Sequence, residues 1–166
     1  LGLLSHLAWV YDEPIADIST LPTYMVSKQA AKSVKAVLSG EGSDEIFVGY
    51  NWQRQLYTHY NWKKLKHLVS NKSNHYLVDY YANAMAMGRF DRKEQQTLLH
   101  ASHHASIRDN CDWYYAQHFQ HNLSPLKAIQ YMDIKCFMGE LVLTKVDRAS
   151  MANSLEVRVP FLNHQL

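Results

Sequence analysis

The stretch VKAVLSGEGSDE, residues 34–45, constrains the fold more than any other part of this chain. A short apolar run with two valines stops at Ser39, and a loop follows that holds Gly40 and Gly42 among Glu41, Asp44 and Glu45. An apolar run of this length, bounded by glycine, reads as a buried strand over 34–38. Upstream, Leu21, Met25, Ala30 and Ala31 keep helical spacing to about Ser33, with Pro22 in the first turn and Ser19 or Thr20 as the expected cap. Helix, strand and glycine loop in succession are the rhythm of an α/β sheet, where ligands sit beyond the carboxyl ends of strands. The acidic loop therefore occupies the favoured place for a site.

Two readings of that loop compete. In the structural one it is a turn whose Ser43 or Asp44 caps a helix from Ile46 onward, the glycines supplying unusual backbone angles. In the functional one the bare backbone at Gly40 and Gly42 admits phosphate oxygens to N–H groups, with Ser39 and Ser43 as further donors. Three carboxylates would repel a naked phosphate. The combination makes chemical sense with Mg²⁺ between acid and phosphate, which points to a nucleotide. An acid left over from the metal can act as a base or orient an amine, and Glu41, between the glycines, is best placed.

The remainder reads as mostly helical. Leu4, Leu7, Ala8 and Val10 suit a short helix stopped before Pro14, and DEPIADIST then forms a loop. From Ile46 to about Leu99 the text is aromatic and basic, with spacing for several amphipathic helices, one of them running from Asp91 through Leu99. Ser124 before Pro125 marks a helix start, Gly139 is the expected break in the apolar pattern that follows, and LEVRVPFL alternates until Pro160. No repeat or linker interrupts the 166 residues, a length that sets one domain as the default.

Composition removes several function classes. Lys plus Arg number 17 against 15 Asp plus Glu, so no polyanion is drawn from a distance and no nucleic-acid partner is expected. The basic face of NWKKLKHLVSNK, whose Trp62, Leu65, Leu68 and Val69 keep core spacing, reads as solvated. Cys111 and Cys136 lie in no metal-ligand spacing, which favours a reducing, cytoplasmic setting. No run of about 18 apolar residues and no basic leader occurs, so no membrane span is expected.

Lesser candidates are weighed the same way. His100, with His103 or His104, has helical metal-ligand spacing but no carboxylate or cysteine beside it. Lys145, Asp147 and Arg148 can be functional or can form an internal ion-pair network, the second being favoured. Glu156 and Arg158, two apart, are expected on one face, supporting the loop.

VLSGEGSDEIFVGY closely resembles the SGxGxDExFxGY signature of the asparagine synthetase family. DEPIADISTLPTYMVSKQA resembles the family segment upstream that lines the acceptor cleft, and LTKVDRASMANSLEVRVPFLN resembles the block KVDRxSMAxSLExRxPFLD. Together the blocks cover about residues 12–50 and 124–164. The resemblance implies an ATP-pyrophosphatase (HUP-type) α/β synthetase domain, in which a carboxylate, L-aspartate in the best-known members, is adenylated by ATP and ammonia from glutamine displaces AMP. By matching positions it implies that Ser39 and Gly40 contact ATP, that Asp44 holds Mg²⁺, and that Glu41 assists formation or aminolysis of the acyl-adenylate. It also implies a cytoplasmic enzyme, ammonia from a glutaminase domain on the same parent chain, and a full-length protein compatible with a homodimer.

The SGGxDS loop, the glutaminase domain with its cysteine nucleophile, and a basic segment after the PFLD block are absent. Residues 1–166 are thus expected to be part of a synthetase domain and inactive alone. Val48 stands where a glycine is frequent, Asn163 where Asp is usual, and MGEL where PDDL is common. Amidation of another carboxylate, a sugar acid or peptide, and a non-catalytic helical interaction domain are the rival readings. Glu41 disfavours β-lactam closure, because relatives with that chemistry tend to carry Tyr there.

Overall fold

The computed structural model describes residues 2–15, 17–56, 58, 75–85, 90, 92–107 and 112–165. The basic NWKKLKHLVSNK segment, Asp91 and Cys111 lie outside the described residues. The elements are α1 (Gly2–Tyr11), α2 (Thr20–Ala30), β1 (Ala36–Leu38), α3 (Ser43–Phe47), α4 (His75–Ala84), α5 (Arg92–Leu98), a 3-10 turn (Ala101–Ser106), α6 (Trp113–His118), α7 (Pro125–Met132), a π-helix (Asp133–Leu143), α8 (Thr144–Met151), β2 (Glu156–Arg158) and a 3-10 turn (Pro160–Leu162). The chain divides into two compact units, residues 1–47 with 134–166, and residues 48–133.

In the first unit, Leu7 and Tyr11, one helical turn apart on α1, pack with Tyr24 of α2 and Ala149 of α8, and Val10 and Ile15 close over them. Burying side chains of this size contributes roughly 1.5–3 kcal/mol each. The Tyr11 hydroxyl, taken out of water, donates to the Thr20 carbonyl at 3.0 Å, so the core also fixes the start of α2. Asp12 ends α1 with φ +61°, its N–H donating to the Ala8 carbonyl at 3.1 Å, two residues short of Pro14.

Two expectations about α2 are corrected. Ser19 makes no side-chain cap; its N–H and hydroxyl both donate to Asp17 Oδ1, each at 2.7 Å. The buried positions of α2 are Tyr24 and Ser27, whereas Leu21 and Met25 are exposed. Helical spacing identified an apolar side, but the aromatic of α2, Tyr24, whose hydroxyl lies 3.0 Å from His6 Nε2, is the one that turned inward.

β1 and β2 form a two-stranded parallel sheet with Ala36 opposite Glu156, Val37 opposite Val157 and Leu38 opposite Arg158. The strand over 34–38 is real but shorter than expected, and it is not buried: Val37 is half-buried and Leu38 is 75% exposed. Apolar runs in parallel strands ordinarily serve sheets covered on both faces. Gly139 is no break either. It sits within the π-helix, where the Thr144 hydroxyl reaches its carbonyl five residues back at 3.3 Å.

The second unit is helical. α4 buries Leu77, Val78, Tyr81 and Ala82, and α7 buries Ala128, Ile129 and Met132. Ser124, with extended backbone, precedes Pro125 as expected. At the end of this unit Asp133 is buried, accepting from Gln53 Nε2 at 2.6 Å and from Trp52 Nε1 at 3.2 Å, while the Tyr80 hydroxyl donates to the Trp52 carbonyl at 2.6 Å. Tyr81 meets Tyr115 edge to face at 5.3 Å. Tyr81 therefore builds core and Trp52 and Tyr80 use their polar tips as internal ties, while Tyr76, Phe90 and Trp113 stay exposed.

Candidate functional site

The parallel pair delivers the acidic loop. Glu156 N–H donates to the Lys35 carbonyl and Ser39 N–H to the Arg158 carbonyl, each at 2.9 Å, so the ladder extends past both ends of β1 and grips the first loop residue. Ser43 N–H then reaches the Gly40 carbonyl at 3.3 Å and Ile46 N–H the Gly42 carbonyl at 3.2 Å, closing the loop into α3. Ser43 and Asp44 lie inside this one-turn helix, which starts three residues earlier than Ile46. Glu41 N–H lies 3.5 Å from Ser39 Oγ, a long contact.

The two glycines differ in purpose. Gly42 has φ +89°, and a Cβ there would lie 2.6 Å from Leu162 Cδ2. Gly40 is exposed and a Cβ there would meet nothing within 4 Å, so local packing does not demand glycine and the backbone faces open space. Only one of the pair supplies an unusual backbone angle.

The three acids are sorted by burial. Glu45 is 1% exposed, Glu41 is half-buried and Asp44 is exposed. Burial lifts the Glu41 carboxyl above the usual carboxylate range; Lys145 draws it back, and Glu45 and Asp44 push it up. A carboxyl poised in this way suits proton transfer at a reacting centre.

Lys145 comes from the block for which an internal ion-pair role was favoured, and it is indeed paired. Its Nζ donates to Asp17 Oδ2 at 2.9 Å and to Ser19 Oγ at 2.6 Å. Burial alone would raise the Asp17 carboxyl, but hydrogen bonds from Lys145 and Ser19, with the charge of Lys145, hold it below the usual range. Arg148 donates from Nη1 to the Tyr11 carbonyl, which ties α8 to the end of α1. Glu156 and Arg158 share a face as expected, 2.8 Å apart and exposed.

Sequence reasoning thus located Ser39, Gly40, Glu41 and Asp44 on one loop and missed Asp17, Ser19 and Lys145 as a group. Each lies in a block that resembles the family, but nothing in either block pairs residues 128 positions apart. An open cleft of about 370 Å³ lined by Leu143, Thr144, Val146, Asp147, Val157 and Val159 includes none of the loop residues. His100 Nδ1 is 2.9 Å from Ser102 Oγ and His104 Nε2 is 3.1 Å from the Leu99 carbonyl, so both rings serve the 3-10 turn locally. Among the described residues no three His, Cys, Asp or Glu side chains converge to cage a metal. Mg²⁺ carried on a nucleotide needs only one or two carboxylates, and exposed Asp44 fits that smaller demand. No helix among the described residues is long and apolar enough to cross a membrane.

The family described as Asparagine synthase matches residues 1–166. The chain is similar to asparagine synthetase [glutamine-hydrolyzing] 1 of Bacillus subtilis, 32% identical over 96% of this chain and 28% of that protein. It is similar to a putative asparagine synthetase [glutamine-hydrolyzing] of Mycobacterium bovis, 30% identical over 100% of this chain and 28% of that protein. A more distant likeness, 24% identical over 95% of this chain and 28% of the relative, is to a Gibberella zeae protein named Amidase chry2. The chain therefore spans 28% of the length of these relatives. No solved structure matches.

Proposed function

This chain belongs to the asparagine synthase family, and from that premise we propose that the protein carrying it is a glutamine-dependent asparagine synthase. Its reaction is adenylation of the L-aspartate side-chain carboxylate by ATP, followed by attack of ammonia, giving asparagine, AMP and pyrophosphate. The observation that carries this reading is Glu41: a half-buried acid on a strand-end loop, within the field of a fixed cation.

In this reading Ser39 and the open backbone at Gly40 receive ATP, and exposed Asp44 is the residue that would hold Mg²⁺ on the phosphates. The metal, when bound, offsets charge on the departing pyrophosphate. Glu41, its carboxyl raised by burial, takes a proton from the incoming amine or steadies the acyl group. Glu45, buried beneath the loop, is left to structure. No protein nucleophile is needed, because AMP is a good leaving group and positioning supplies much of the rate.

The same reading takes the chain as part of an ATP-pyrophosphatase-type (HUP) synthetase domain in a cytoplasmic protein, compatible with a homodimer, whose glutaminase domain supplies ammonia. The 166 residues alone are then inactive, and asparagine formed by them alone would refute that. A second acceptor, another carboxylate, is kept in view by the likeness to Amidase chry2. ATP–pyrophosphate exchange by the full-length protein decides between them: exchange dependent on L-aspartate supports the first reading, exchange only with other acids the second, and no exchange with any acid rejects both.

A further inference from the structure

We infer that Lys145 is the anion contact of this site, offering its ammonium to a carboxylate or phosphate oxygen of the substrates, with Asp17 and Ser19 as its positioning residues. An ammonium has three N–H donors, and two are committed, to Asp17 Oδ2 and Ser19 Oγ. The Lys145 side chain keeps 12% of its surface exposed, so the pairing stops short of full enclosure. Ser19 completes a tight ring by donating to Asp17 Oδ1 from both N–H and hydroxyl, which leaves the ammonium little freedom to swing.

A purely structural account of this pair is physically poor. Asp17 and Lys145 are 15% and 12% exposed, and a pair so far removed from water returns little net stability, because desolvation consumes most of the attraction. What the ring does achieve is a fixed positive charge at a defined place. The helix that carries Lys145, α8, packs on α2 and on β2, the strand paired with β1 ahead of the acid loop, and the charge of Lys145 draws the Glu41 carboxyl down against its burial. Arg148 is engaged on the Tyr11 carbonyl and Arg158 on Glu156. An anionic substrate approaching Glu41, Asp44 and Glu45 meets repulsion unless a cation receives it, and Lys145 is placed to do so.

The inference rests on the amidotransferase reading only for which anions are delivered. Its test is direct binding to the full-length protein, by calorimetry and thermal shift, with L-aspartate and with inorganic pyrophosphate as the two probes. K145M is expected to bind at least one probe roughly tenfold or more weakly, as loss of a hydrogen bond to a charged group predicts. Weaker aspartate binding assigns Lys145 to the carboxylate, weaker pyrophosphate binding to the phosphate. K145R is expected to restore binding. The double variant D17N/K145M removes both charges together, so it should melt near the wild type while keeping the binding defect; S19A should weaken binding a few-fold with little change in Tm.

Wild-type binding of both probes by K145M overturns the inference, as does failure of the wild type to bind either. Loss of folding in both K145M and D17N/K145M also overturns it, since the pair would then be structural. Absence of exchange turnover in a wild type that binds the anions counts against the proposed reaction alone.

Discussion

Gly42 lies directly against Leu162: a Cβ on Gly42 would come within 2.6 Å of Leu162 Cδ2 and 2.9 Å of its Cγ. The acidic loop and the turn after β2 are thus fitted to each other across a gap that admits no side chain. Gly42→Ala therefore meets two penalties, the close approach and the left-handed φ of +89°. Together they are expected to destabilise the fold by roughly 1–3 kcal/mol in denaturant unfolding. Gly42→Ala combined with Leu162→Ala separates them: removing the Leu162 methyls relieves the clash but adds a cavity, so a double variant no worse than Leu162→Ala would show that backbone angle contributes nothing.

Val48 carries a second prediction. It has φ +60°, a conformation that costs a β-branched residue about 1–2 kcal/mol. Val48→Gly releases that strain and pays back part of it in unfolded-chain entropy. A net gain of about 0.5–1 kcal/mol is expected by thermal unfolding, whereas Val48→Ala, which keeps the Cβ, should give no gain. A lower Tm for the glycine variant would mean that the Val48 side chain packs more than its angle costs.

Glu41→Gln should separate stability from chemistry. The folded carboxyl is raised above its unfolded value, so the folded state holds that proton more tightly. Below the unfolded pKa both states are protonated and Glu41 costs nothing; as pH rises through the folded pKa the penalty becomes complete. The glutamine variant should therefore unfold at higher denaturant than the wild type at neutral pH, and the difference should vanish in acid. Aspartate-dependent exchange should fall roughly 10²–10⁴-fold, the range for loss of a general acid or base. Retained exchange would remove Glu41 from the chemistry.

Asp17 titrates in the opposite sense. Its folded carboxyl is lowered, so its contribution is present above the unfolded pKa and is lost as pH falls through the folded value. Plotted against pH, the stability of Asp17→Asn should run closest to the wild type in strong acid and diverge as Asp17 ionises. Parallel curves at all pH values would show that the Lys145 pairing does not persist in solution.

Asp44→Asn should leave folding untouched, within about 0.5 kcal/mol, because the side chain is exposed. Protection of the full-length protein by ATP in the presence of Mg²⁺ should weaken, and raising Mg²⁺ should partly recover it. Unchanged protection at limiting Mg²⁺ would take Asp44 out of the nucleotide site.

The acidic loop was legible in advance because its information is local: an apolar run, a glycine that needs φ +89°, and acids within one turn of each other. Ser124 and Pro125 announced a helix for the same reason. The Asp17–Lys145 pair was not legible, since its members are 128 residues apart and neither has a telling neighbour. Leu21 and Met25 misled because spacing identifies an apolar side without saying what covers it. Gly139 misled because low helix propensity predicts a break, whereas a π-winding accommodates the residue without one.

The parallel register of β1 and β2 has an evolutionary consequence. Ser39 and Val159 leave the sheet at the same end, so the length of chain between the strands does not enter the geometry of the ladder. Residues 48–133, a compact unit of their own, can gain or lose turns of helix while Leu38 stays opposite Arg158. Six short-strand residues thus insulate the acidic loop from drift in the longest stretch of intervening sequence, and selection can rewrite that stretch without renegotiating the chemistry.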